Sequence, residues 1–149
     1  MLGDSTDDVG LPDASRVDET LAQAVAGAGG VLVILRMLAR TEIVALMETA
    51  AALGLFVLLE AFDEADLDLA GELAEGTGER VTGISLPVLV GLNCRDLATL
   101  QVVPGCLEAL APRLPQGLPR VAESGLDDAQ DAARIAAAIE HRRVRRDAA

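Results

Sequence analysis

Three short runs hold the residues able to do acid–base or anion chemistry: Leu59-Glu60-Ala61-Phe62-Asp63, Gly91-Leu92-Asn93-Cys94-Arg95-Asp96 and Val121-Ala122-Glu123-Ser124-Gly125. Each starts apolar and turns polar, so each supplies functional groups at the end of a buried stretch. Glu60 closes the apolar run Leu55–Leu59, and a carboxylate partly withdrawn from water has its pKa raised toward general-base work. An ordinary strand-end carboxylate facing water gives the same pattern, and periodicity alone favours that reading. The planar fork of Arg95 grips a carboxylate or phosphate in two places; the rival reading is an ion pair with adjacent Asp96. Ser124-Gly125, just ahead of a helical stretch, offers N–H groups and a hydroxyl to a phosphate, although the same dipeptide also begins ordinary turns.

These groups need elements to hold them. Val31–Leu35 is a β-branched run after glycines, and Thr41 offers a cap to a helix with Ile43, Leu46, Met47 and Ala50 on one face. Gly54 stops that helix, Leu55–Leu59 forms the next strand, and Asp63 caps a helix bearing Leu67, Leu69 and Leu73. Pro87 confines the third strand mainly to Val88–Leu92. A short helix around Leu107–Leu110 follows, then a fourth strand at Arg120–Ala122 and an alanine-rich helix capped by Asp127. Strand, polar turn and helix thus repeat about every thirty residues, the rhythm of βα units and a parallel sheet. In such sheets, side chains at the carboxyl ends of neighbouring strands converge on one mouth.

Composition narrows the partners. The net charge of -12 repels nucleic acid and anionic lipid at long range. All twelve basic residues are arginine, so no Schiff base, P-loop lysine or lysine acid lies in this chain. No apolar stretch approaches the roughly 20 residues of a membrane span. His141 is the sole histidine, which excludes a histidine-rich metal site. Cys94 and Cys106 form no CxxC and are expected to be small buried hydrophobes in a reducing cytoplasm, without a redox or metal role. Residues 1–13 are read as a flexible leader, 14–140 as the folded domain and 141–149 as a basic tail whose arginines complement a helix C-terminus.

The order of motifs identifies a family resemblance. GLNCRDLATLQV (91–102) resembles the strand-six signature of indole-3-glycerol-phosphate synthases, VAESGL (121–126) their strand-seven segment, LLEAFDEADL (58–67) their strand five and GAGGVLVIL (27–35) their glycine-led strand four. The resemblance runs from about Leu21 to Ala138. It implies an α/β fold, a partial (β/α)8 TIM barrel of about four units, since a whole barrel needs about 250 residues. It implies that Glu60 is the general base, that Asn93 and Arg95 position the sugar-derived chain and the anthranilate carboxylate, that Glu123 lies on the site floor, and that Ser124 and Gly125 bind phosphate. The implied reaction is ring closure of 1-(2-carboxyphenylamino)-1-deoxyribulose 5-phosphate with loss of carbon dioxide and water, a carboxy-lyase step of tryptophan biosynthesis requiring no cofactor.

This chain departs from the family at several places. The family's first strand contributes a glutamate and a lysine and its third the lysine that acts as general acid, and lysine is absent here. Phe62 stands where histidine is usual, Cys94 where Asn or Ser is usual, and Pro87 has no evident counterpart. The expectations are therefore a chain inactive by itself, acting on a phosphorylated small molecule, and either self-associating or recruiting a complementary half barrel. The alternatives are a non-catalytic barrel remnant that binds a phosphorylated ligand or a partner chain, and an unrelated flavodoxin-like domain.

Overall fold

The computed structural model describes residues 27–80 and 87–146, with side chains described through 75 in the first stretch and through 137 in the second. The expected leader, the first part of the expected domain over residues 14–26 and residues 81–86 ahead of Pro87 lie outside the described residues. Chain order is β1 (Gly30–Ile34), α1 (Arg40–Ala52), β2 (Phe56–Ala61), α2 (Glu64–Arg80), β3 (Val88–Asn93), α3 (Cys106–Leu110), β4 (Arg120–Glu123) and α4 (Ala129–Arg146). One-turn 3₁₀ segments follow β1 and α3. The backbone of α4 continues through the arginines expected to form a tail.

The strands arise where Val, Ile and Leu cluster, because branched and aromatic side chains fit a pleated, half-buried surface. They form one parallel sheet in the order β1-β2-β3-β4. Each described strand lies beside its chain neighbour, with no point among the described strands at which the order reverses. That excludes the flavodoxin-like alternative, whose ligand crevice needs such a reversal. Sequential parallel strands joined through helices are the arrangement of a (β/α) barrel segment.

Strand side chains alternate between two faces. One face presents Val33, Val57, Leu59, Val88, Val90 and Leu92 to Ile43, Met47, Leu67, Ala70, Leu107 and Ile135 of the helices, and these residues form one buried cluster. The other face carries Leu32, Phe56, Leu58, Leu89 and Val121 and, toward the carboxyl ends, Glu60, Asn93 and Glu123. Leu32 is 50% exposed and Phe56 40%, and Phe56 lies across Gly30, where any Cβ would collide with its ring.

Helix starts differ in detail from the expectations. Asp63 caps α2 as expected, its Oδ1 accepting from Asp66 N at 2.9 Å. The cap of α1 is Ala39 rather than Thr41, with Glu42 reaching back to accept from Ala39 N at 2.6 Å. The cap of α4 is Asp128 rather than Asp127, since Asp128 Oδ1 accepts from both Gln130 N and Asp131 N. Strand β3 extends one residue past the expected Leu92, to Asn93, because Asn93 pairs with Glu123 of β4. No helix among the described residues is long and apolar enough to cross a membrane.

Candidate active site

Because parallel strands share one direction, Glu60, Asn93 and Glu123 all emerge at the carboxyl end of the sheet. The register brings them close: Glu60 pairs with Gly91, and Asn93 with Glu123. Glu60 is 5% exposed, so it is not the water-facing strand-end carboxylate that periodicity favoured. Asn93 Nδ2 donates to Glu60 Oε1 at 2.8 Å, while Asn93 Oδ1 accepts from Arg95 N at 3.0 Å. Both ends of the amide are engaged, which fixes its orientation and supports a buried carboxylate that would otherwise be costly.

Glu123 approaches from the other side of β3. Its Oε1 is buried with no hydrogen-bond donor among the described residues. Burial, the negative charge of Glu60 and hydrogen bonding with Glu60 together push the Glu123 carboxyl up to about 7. Gly91 makes this approach possible. A methyl group there would overlap Glu123 Oε1.

Arg95 and Ser124-Gly125 stand apart from the three polar groups on the strands. The guanidinium of Arg95 is exposed and donates to Leu100 O at 2.6 Å within its own loop. It forms no ion pair with Asp96, whose Oδ1 instead accepts from Ala98 N and Thr99 N, each at 2.8 Å. Those backbone donors hold the Asp96 carboxyl below its usual value. Ser124 and Gly125 follow β4 directly, both with positive φ. The β3–α3 loop lies against Gly125, with Val102 Cγ1 3.2 Å from the position of a Cβ there, closer than an ordinary van der Waals contact.

That loop overturns the reading of the cysteines as two independent buried thiols. Cys94 and Cys106 form a disulfide, with Cα atoms 5.6 Å apart. The loop doubles back through Asp96 N to Gln101 O and Val103 N to Cys94 O, delivering the first residue of α3 to the end of β3. A separation of twelve residues conceals this closeness, because the fold-back depends on turn bonds rather than on a spacing motif.

A further cluster at the same end went unnoticed in the sequence. Arg36, just past β1, stacks 4.7 Å from the centroid of Phe62. Its Nε and Nη2 donate to Asp66 Oδ2 at 3.0 and 2.8 Å, and Nη2 also reaches Asp63. Asp66 Oδ2 accepts a third bond from Phe62 N. The signal was available: Arg36 is the first charged residue after an apolar run, the same position that singled out Glu60. Among the described residues no group of three His, Cys, Asp or Glu is set to hold a metal ion.

The arrangement is thus a buried carboxylate oriented by an amide, a second carboxyl group beside it, and a Ser-Gly turn under a pinned loop, all at one end of a parallel sheet. A family model for Indole-3-glycerol phosphate synthase matches residues 13–142. The chain is similar to the indole-3-glycerol phosphate synthase of Mycobacteroides abscessus, 34% identical over 105 residues that make up 70% of this chain and 34% of that protein. It is similar to the Chlorobium limicola protein of that name at 34% over 109 residues, 73% of this chain and 38% of that protein. With the Parafrankia protein of that name it shares 36% over 112 residues, 75% of this chain and 37% of that protein. The chain spans little more than a third of the length of these relatives.

Proposed function

The chain belongs to the indole-3-glycerol phosphate synthase family, and on that footing we propose that it supplies the base-bearing part of a site for closing the indole ring of 1-(2-carboxyphenylamino)-1-deoxyribulose 5-phosphate. The observation that carries this reading is the Asn93–Glu60 hydrogen bond inside the carboxyl-end cluster. A buried carboxylate with one oxygen fixed by an amide is oriented to take a proton from a substrate lying over the strand ends. In this reading Glu60 is the base, Asn93 orients it, and Arg95 swings from Leu100 O to meet the anthranilate carboxylate. Ser124 and Gly125 receive the phosphate through a hydroxyl and backbone N–H groups.

The 149 residues contain no lysine, so the ammonium proton donor of the family has to come from another polypeptide segment. We therefore expect no turnover from these residues alone, general acid assistance being worth roughly 10²–10⁴-fold per group. A second reading, a non-catalytic remnant that binds a phosphorylated ligand or a partner chain, is favoured by the exposed Leu32 and Phe56 on the sheet face that no described helix covers. A complementary half barrel or a second copy would cover that face. We assign the protein to the cytoplasm, although cellular glutathione acts against the Cys94–Cys106 disulfide there.

The test is product formation by the chain alone and with a lysine-bearing first-half fragment of a relative. The chain has no Trp or Tyr, so it adds no indole or phenol fluorescence of its own to that of the product. Product with the fragment, and its loss in Glu60→Gln, supports the synthase reading. Complex formation without product supports the remnant.

A further inference from the structure

Glu60 and Glu123 sit on strands that are not neighbours, with β3 between them. Two carboxyl groups could meet across an intervening strand only where that strand lacks a side chain, and Gly91 is that place. It pairs with Glu60 on one side and with Val121 on the other, and its missing Cβ leaves the space taken by Glu123 Oε1. The two groups are not equivalent. Glu60 receives an amide donor from Asn93, whereas the buried Glu123 Oε1 receives none.

Among the described residues the surroundings offer no cation to relieve the crowding. From β1, the residue opposite Glu60 is Ile34, and Arg36 beyond it is occupied by Asp63 and Asp66. From β2 and β3, the neighbours on this face are Leu58, Leu89 and the neutral Asn93. Arg95 is turned to Leu100 O, and Arg120 lies at the opposite end of β4 from Glu123. Like charges this close do not both ionise near neutrality.

We propose that Glu60 and Glu123 hold a single proton between them at neutral pH, carried on Glu123, so that this lysine-free chain contains a proton donor for the loss of water, facing its base across Gly91 and separate from the ammonium donor that another segment has to bring for ring closure. The direction of its use rests on the synthase reading above. Glu123 gives its proton to the substrate hydroxyl that leaves as water: its O–H bond breaks as the new one forms, and the C–O electron pair departs with the water. Glu60 takes a proton from the substrate, and that proton returns to Glu123 through their hydrogen bond. The pair ends the loss of water with the one proton it began with, the proton that made the leaving hydroxyl at ring closure having come from the other segment's donor, and no oxidant or reductant enters.

The experiment is a carboxyl-carbon NMR titration of the full chain labelled at glutamate, without substrate. One glutamate resonance is expected to titrate near pH 7, matching the value to which Glu123 is pushed, and to vanish in Glu123→Gln. In Glu60→Gln its midpoint falls by a unit or more, since the neighbouring charge is gone. Gly91→Ala, whose methyl displaces the Glu123 carboxyl group while leaving both glutamates in the sequence, lowers the same midpoint and covers the case in which Glu60→Gln fails to fold. Glutamate midpoints all below about 5 in the parent chain, or a high midpoint indifferent to Glu60→Gln and Gly91→Ala, would overturn the proposal. Because no substrate is present, this outcome is independent of the complementation assay. A shared proton without product refutes the synthase reading alone.

Discussion

At the scale of residues, a few positions do most of the positioning. Asn93 is satisfied at both ends, Asp66 gathers three donors on one oxygen, and Gly91 acts through what it lacks. The raised Glu123 carboxyl has a consequence for stability, and its sign follows from linkage. The unfolded chain gives up this proton near the ordinary value of 4.5, whereas the folded chain keeps it to about 7. Stability from this group is therefore full below 4.5 and declines as pH rises through 7. Asp96, Glu108 and Asp131 have lowered values and act with the opposite sign, farther into acid. Urea midpoints followed by far-UV circular dichroism are expected to fall between about pH 5 and pH 8, and this slope flattens in Glu123→Gln. An unchanged slope in that variant would assign the pH dependence to another group. The site's glutamates and asparagine were legible because each ends an apolar run. Their mutual contact was not, since it depends on register and on a glycine in the strand between.

Elements were legible where side-chain pattern alone decides them. The β-branched runs at Val31, Val57 and Val88 became strands because burying them is favourable in any register of a parallel sheet. Helix starts were less so: Thr41 and Asp127 are good capping residues, yet the backbone enters α1 two residues before Thr41 and α4 one residue after Asp127. At α1, Glu42 does the work of a side-chain cap by accepting from Ala39 N. At α4, Asp128 serves two N–H groups that would otherwise be orphaned. Asp128→Ala should cost about 1 kcal/mol and Asp127→Ala only a few tenths, read from urea midpoints. The reverse order would return the cap to Asp127. The β3–α3 loop was the least legible element, because its shape comes from Asp96 binding Ala98 N and Thr99 N, and from the positive φ of Leu100.

For the whole molecule, the decisive feature is a sheet covered by helices on one face and bearing Leu32 and Phe56 on the other. Apolar area of this kind is seldom left bare, and among the described residues the terminal strands β1 and β4 have no strand partner on their outer edges, which leaves backbone groups open to pairing. We expect the chain to sediment as a species heavier than its 15.4 kDa monomer at micromolar concentration, or to do so when a complementary half barrel is added. Leu32→Glu with Phe56→Glu should restore the monomer while keeping the far-UV spectrum. A monomeric parent chain that neither binds a hydrophobic dye nor takes up the half barrel defeats this prediction. The disulfide has a consequence of another kind. Arg95 is the only tryptic site between Cys94 and Cys106, and it is exposed. A cut there opens the main chain yet leaves the two pieces bolted together by sulfur, gaining only the mass of one water. Such a nicked molecule should migrate as one band until a thiol reductant is added and as two afterwards, so the bond that pins the loop also serves as a removable staple for dividing the barrel segment at its sixth-strand motif.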